Sequence, residues 1–321
     1  MPVNFKNIKN ILILRSEGSL GDAVLTSCYY REFKKINPDV KISVAAFGSA
    51  YDYLRKVEYI DTVYRLPIKR VLRPNQKWPS IFIMGLKLRF KKFDFILDDN
   101  PKPQLNWSFF RFLLGKNKII DTSILKKEPH TSQERTRMML DAMGLNKAEI
   151  RYEIPLQQTS EQYLAELLKE KKITRYGVLN IFSSVADRSL NEINFQHIAA
   201  SVKQYSNGLD IIIPVRGFQK KYVESLLEDN SLDFIPFETK NIFDLFSVIN
   251  GSAFVISPDT AAVHIATGLG KKGIFFYSCG HTFCAAENPS AFVIKSSDGD
   301  INNFSKEEFS EKYQKIVSGG L

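Results

Sequence analysis

The sequence predicts an α/β protein made of two successive doubly wound halves, and three observations predict it. Short, continuous apolar runs recur along the chain with helix-spaced segments between them, the pattern of parallel strands buried on both faces and joined by crossover helices. The series restarts near Tyr176, after a polar stretch. With 321 residues, the chain can bury two cores of ordinary domain size.

The first strand is Ile11-Leu12-Ile13-Leu14. Beyond the turn Arg15 to Asp22, the residues Ala23, Val24, Leu25, Tyr29, Tyr30 and Phe33 fall at helical spacing. Lys41 to Ala46 and Phe93 to Asp98 continue the strand series, with Lys118 to Asp121 next. From Lys69 to Lys92 the chain reads KRVLRPNQKWPSIFIMGLKLRFKK, cations alternating with Trp78, Phe82, Met84, Leu86 and Phe90. Such a helix packs its apolar stripe on the sheet, lies against an anionic membrane face, or does both. Glu153-Ile154-Pro155-Leu156, leading into a polar helix near Ser160, is the best linker. It divides the chain into domains at 1–157 and 158–321, with the last helix able to pack back on the first domain. In the second half the strands are Tyr176 to Phe182, Asp210 to Pro214, Ala253 to Ser257 and Gly273 to Tyr277. The helices between them are Asn194 to Tyr205, Lys220 to Asp229, Ile242 to Asn250 and Ala261 to Thr267. Two such domains facing each other enclose a central cleft at the carboxyl ends of their strands, where ligands bind.

Composition narrows the classes. Cys28, Cys279 and Cys284 are odd in number and scattered, so neither a disulfide framework nor a zinc site is expected. No apolar run approaches the roughly 20 residues of a membrane span and no signal peptide opens the chain, which places the expected location in the cytoplasm. A net charge of +9 admits an anionic partner: nucleic acid, acidic lipid or phosphorylated sugar. No nucleic-acid-binding signature accompanies it, so nucleic acid is not expected.

Two stretches carry candidate chemistry. The first is Arg15-Ser16-Glu17-Gly18-Ser19-Leu20-Gly21-Asp22, between the first strand and its helix. It is neither the G-x-G-x-x-G dinucleotide fingerprint nor a Walker loop. Asp22 reads either as a helix N-cap or as an acid aimed into the ligand crevice. The second runs from Ser257 through Pro258, Asp259, Thr260 and Ala261 to His264 and Gly270. There a buried strand gives way to a small-residue helix whose first amides suit an anion such as a diphosphate. Asp259 as a simple cap and His264 as a core histidine are the competing readings.

Together, L-G-D-x-x-L and S-x-D-T-x-x-x-H-x-A-x-x-L-G resemble the glycosyltransferase family 9 enzymes, the ADP-heptose:lipopolysaccharide heptosyltransferases. The resemblance implies a GT-B fold: an acceptor domain, then a nucleotide-sugar domain. It implies inverting, metal-independent transfer of heptose or a related sugar, with ADP-heptose the leading donor and no cofactor. Lipopolysaccharide core or another cell-surface glycolipid or oligosaccharide would be the acceptor. Asp22 then looks like the general base, with Ser19 and Gly21 in the acceptor-side loop. Ser183, Ser184, Arg188, Asp259, Thr260, Ala261 and His264 would hold the donor diphosphate. A peripheral position at the inner face of the cytoplasmic membrane fits such an acceptor. The competing functions are a non-catalytic nucleotide-sugar-binding protein on the same fold and, more weakly, a nucleotide-sugar hydrolase or epimerase.

This chain departs from the family pattern in three places. The first loop is one residue longer around Glu17 to Ser19, and Leu190 and Phe195 stand near the place of a common tryptophan. Arg216-Gly217-Phe218-Gln219-Lys220-Lys221 lacks the acid that follows the glycine in many members. The last departure bears on donor identity.

Overall fold

The computed structural model describes residues 5–15, 18–66, 74–98, 112, 114, 119–121, 125, 131–183, 186–205, 208–229, 232–278 and 288–319, with side chains in 74–98 from Phe82 onward. The chain forms two compact units, residues 1–129 with 134–153, and 130–133 with 154–321.

In the first unit five strands make one parallel sheet in the order β3-β2-β1-β4-β5: β1 Asn10–Leu14, β2 Lys41–Ala46, β3 Thr62–Arg65, β4 Phe95–Asp98 and β5 Ile119–Asp121. Ile11 to Leu14 are at most 1% exposed, so β1 is covered on both faces, which is why its sequence does not alternate. The helices of this unit are α1 Leu20–Leu25, α2 Cys28–Ile36, α3 Gly48–Leu54, α4 Pro74–Arg89 and α5 Ser132–Ala142. Leu88 of α4 joins Leu12, Leu14, Phe93 and Ile96 in one apolar cluster, with Met84 packed against it. Asp61, just before β3, accepts from the Ile42 amide at 2.8 Å and from Lys34 and Lys41 at 2.9 and 3.3 Å. Partial burial pushes its carboxyl up, but that amide and the two lysines outweigh it and hold the pKa below the usual aspartate value. At the end of the unit Glu153 is pinned. Its carboxylate accepts from Arg31 at 2.8 Å, its carbonyl from Tyr53 at 2.6 Å, and its amide donates to Ser27 at 2.8 Å.

The second unit is a six-stranded parallel sheet, β11-β10-β9-β6-β7-β8. Its strands are β6 Tyr176–Leu179, β7 Asp210–Val215, β8 Ile235–Glu238, β9 Phe254–Pro258, β10 Lys272–Tyr277 and β11 Ala291–Lys295. The helices are α6 Gln158–Glu170, α7 Glu192–Tyr205, α8 Gly217–Asp229, α9 Ile242–Gly251, α10 Ala261–Gly268 and α11 Lys306–Val317. The last helix, α11, packs on α7, β10 and β11 of this unit. Its Phe309 and Tyr313 stack at 5.9 Å between ring centres, and Tyr313 meets Phe254 edge-on at 5.5 Å. Phe254 fills the space beside Gly177, where an added Cβ would come within 2.3 Å of its ring; β6 therefore carries a glycine.

The apolar runs named from the sequence form strands, most of them within one residue of the expected bounds. β4 begins at Phe95 and not at Phe93. The first strand of the second half ends at Leu179 and not at Phe182, because the chain turns where Asn180 bonds sideways to its neighbours. Three further edge strands, β3, β8 and β11, were not named from the sequence, although β11 carries the apolar run Ala291 to Ile294. Most of their residues are partly exposed, with Phe237 and Ile294 buried, in keeping with short strands that each have a single partner.

Candidate functional site

Both sheets follow the doubly wound order 3-2-1-4-5, continued to a sixth strand in the second unit, with β1 and β6 as the respective first strands. The order in which strands are added reverses between strands 1 and 4 of such a sheet, and the carboxyl-end crevice at that point receives ligands. The switch points are therefore β1/β4 and β6/β9. The motif residues fall at the carboxyl ends of β1, β6 and β9.

In the first unit β1 leads into Arg15, which is 3% exposed and whose amide bonds to the Ala45 carbonyl at 2.9 Å. The Arg15 guanidinium donates to the Asp22 carbonyl, so a buried cation holds the first turn of α1. Ser19 caps this helix, its Oγ accepting from the Asp22 amide at 3.2 Å. Asp22 is thus not the N-cap. It is the third residue of the helix, after Leu20 and Gly21, and its carboxylate accepts from the Ser19 hydroxyl at the partly exposed mouth of the turn. An acid in the first helical turn is favoured by the helix dipole, and a carboxylate so placed at the mouth of the turn is a group that can act as a general base. Gly18 passes so close to Phe47 that a Cβ there would lie 2.6 Å from the ring. Asp98, 1% exposed and paired in register with Leu14, ends β4 on the other side of the switch point. Sequence reading assigned Asp98 to a strand and gave it no role. An acid ending an apolar strand was the available signal.

In the second unit Thr260, and not Asp259, caps α10, because its backbone is extended and its Oγ1 accepts from the Ala262 amide at 3.2 Å. Asp259 is 6% exposed and pairs with Arg188 at 3.7 Å. Arg188 ends a short 3-10 turn, Ala186–Arg188, in the loop after β6, and its side chain is 34% exposed. The same loop is closed by the Ser183 amide donating to the Ser189 hydroxyl at 2.9 Å and by the Leu190 amide donating to the Ile181 carbonyl at 2.9 Å. His264, 5% exposed, lies within α10. Ser184 lies outside the described residues.

Sequence reading missed Asn180. It stands one residue past β6, 7% exposed, and its amide nitrogen lies 2.9 Å from Ser257 Oγ, 3.1 Å from Thr260 Oγ1 and 3.2 Å from the Phe182 carbonyl. The side chain ties the capping residue of α10 to the neighbouring strand across the switch point. The turn therefore gathers a helix N-terminus, two hydroxyls and a cation, groups that together stabilise phosphate oxygens. Among the described residues no three His, Cys, Asp or Glu side chains are grouped as metal ligands would be. No described helix is long and apolar enough to cross a membrane.

No protein-family model and no curated protein matches this sequence. Solved structures do match in fold. A family 9 glycosyl transferase from Veillonella parvula superposes with a TM-score of 0.81 at 13% identity, covering 99% of each chain. The E. coli ADP-heptose lps heptosyltransferase II gives 0.70 at 12% identity, over 98% of this chain and 99% of that one. E. coli heptosyltransferase WaaC with ADP gives 0.68 at 14% identity, over 96% and 99%. A UDP-N-acetylglucosamine 2-epimerase also matches, at 0.53 and 14% identity, over 98% and 91%. The chain thus has the GT-B type of fold, two Rossmann-like doubly wound domains in succession.

Proposed function

We propose that the chain is a family 9 glycosyltransferase that moves heptose or a related sugar from a nucleotide-diphosphate donor, ADP-heptose first among candidates, to lipopolysaccharide core or another cell-surface glycan. The observation that carries this reading is the presence in one chain of a first-turn acid, Asp22, at the switch point of one unit and a phosphate-suited turn at the switch point of the other. A protein that only bound a nucleotide sugar would need the second and not the first. In the proposed reaction Asp22 takes the proton of the acceptor hydroxyl as its oxygen bonds to the anomeric carbon. The bond from that carbon to the diphosphate oxygen breaks, the diphosphate leaves with the electron pair, and the configuration inverts. Arg188, the α10 amides, Ser183 and Thr260 offset the charge that develops on the leaving group, and no metal takes part. Asp259 and His264 support that turn from inside. The enzyme works at the cytoplasmic face of the membrane, where a lipid-linked acceptor is presented.

The likeness in fold to an epimerase supports one second reading, a nucleotide-sugar enzyme without an acceptor. A panel of ADP-, UDP-, GDP- and CMP-sugars separates the readings. Thermal stabilisation identifies the donor, and product analysis with and without a glycan acceptor distinguishes transfer from epimerisation or hydrolysis. Asp22→Asn is expected to bind that donor within a few fold of wild type and to lose about a hundred- to ten-thousandfold in turnover. Wild-type turnover by Asp22→Asn would remove the base from the mechanism and leave the residue a role in the helix start alone.

A further inference from the structure

We propose that the outward face of α4 and the turn after it form a docking surface for an anionic lipid bilayer. Helix α4 turns Leu88 and Met84 onto the sheet, and its opposite side carries large apolar side chains into solvent. Phe82 is 41% exposed, Ile83 53% and Phe90 79%. Positions 82, 83, 87 and 90 share one helical face, so Lys87 stands among these side chains, and Lys91 and Lys92 extend the patch in the exposed turn. Not one Asp or Glu occurs between Asp61 and Asp94.

The charge of the whole chain is segregated in the same sense. Residues 1–153 hold 28 Lys and Arg against 16 Asp and Glu, whereas residues 154–321 hold 16 against 19. The first unit is thus the sole source of the net positive charge. Cations interleaved with exposed phenylalanine and isoleucine match the two attractions of an anionic interface: headgroup charge, and burial of apolar side chains at the acyl boundary. Single-stranded nucleic acid would use the cations and the rings but gains nothing by stacking from Ile83. Lys91 and Lys92 lead into the amino end of β4, the opposite end of the sheet from Asp22, so docking leaves the carboxyl-end crevice open. The proposal deepens the membrane location given in the transferase reading by naming the surface, and its test is separate from that reading, since membrane binding is measured without any sugar.

The test is cosedimentation of the full chain with phosphatidylcholine vesicles, with and without phosphatidylglycerol. Binding is expected only to the anionic vesicles, weakening as salt shortens the screening length. The combined variant Lys87→Gln, Lys91→Gln, Lys92→Gln should lose at least about tenfold in affinity, in line with the contribution of each cation near such a surface. The pair Ile83→Ser and Phe90→Ser, which keeps every charge, should lose several-fold. All of these side chains are exposed, so both variants should melt with the wild type. Equal binding to neutral vesicles, wild-type affinity in either variant, or tighter binding to a single-stranded RNA oligonucleotide than to anionic vesicles would overturn the proposal.

Discussion

Replacing Asn180 by Ala tests whether the second switch point is held together by one side chain. The amide nitrogen lies within 3.2 Å of Ser257 Oγ, Thr260 Oγ1 and the Phe182 carbonyl, and it has two protons to give them. Removal thus costs two hydrogen bonds' worth of stability and leaves polar atoms short of a donor at a site only 7% exposed. At about 1 kcal/mol net per bond, plus part of the penalty for unsatisfied buried groups, the loss is about 2 to 3 kcal/mol. For a unit of this size that lowers the melting temperature by roughly 4 to 12 °C. Nucleotide binding should weaken as well, because Thr260 would no longer be fixed relative to the loop bearing Arg188. Thermal unfolding followed by circular dichroism, with calorimetric titration of ADP and UDP, measures both quantities. Gln196→Ala, on an exposed part of α7, is the control and should change stability by less than about 0.5 kcal/mol. A melting point for Asn180→Ala within about 1 °C of wild type would show that the three contacts contribute nothing net, and the argument would fail.

Other outcomes follow from the same geometry. Arg188→Ala should weaken donor binding and slow loss of the diphosphate, with about 2 to 4 kcal/mol less transition-state stabilisation, read from kcat/KM. EDTA should leave the rate unchanged; loss of activity on chelation and recovery with magnesium or manganese would refute the metal-free mechanism. The lowered pKa of Asp61 makes its contribution to stability present above the ordinary aspartate value of 3.8 and lost as pH falls through the lower folded value. Asp61→Asn should therefore destabilise the chain at neutral pH and make no difference in strong acid. A deficit that persisted unchanged at the acid end of denaturant titrations would mean that the Ile42, Lys34 and Lys41 contacts act by shape and not by charge.

The central strands were readable because a parallel strand covered on both faces must be continuously apolar, as Ile11 to Leu14 and Ile211 to Ile213 are. Of the edge strands, Ile119–Asp121 was read and the other three were missed. Thr62–Arg65 is short, partly exposed and has a single neighbour, so no continuous apolar run marks it. Asp22 and Asp259 were legible as acids at the carboxyl ends of strands, but the identity of each cap was not. Capping depends on which residue takes the extended backbone, and a hydroxyl residue does so in both turns, Ser19 three residues before Asp22 and Thr260 next to Asp259. Asn180 was hidden because its role comes from β9, a strand distant in sequence that lies beside β6 in the sheet. The segregation of charge is present in the bare sequence, but it acquires meaning only once the boundary after Glu153 divides the count.

Among the described residues no strand of one sheet pairs with the other, and each unit completes its own doubly wound order and its own core. For a lineage under selection this makes the halves separately adjustable. Substitutions around β7 and β8 can retune the second unit without breaking any strand pairing of β1, and the loops of the first unit can drift without breaking any pairing of β6. A gene assembled from the first half of one such protein and the second half of another, joined after the pinned Glu153, inherits two intact sheets and no broken strand.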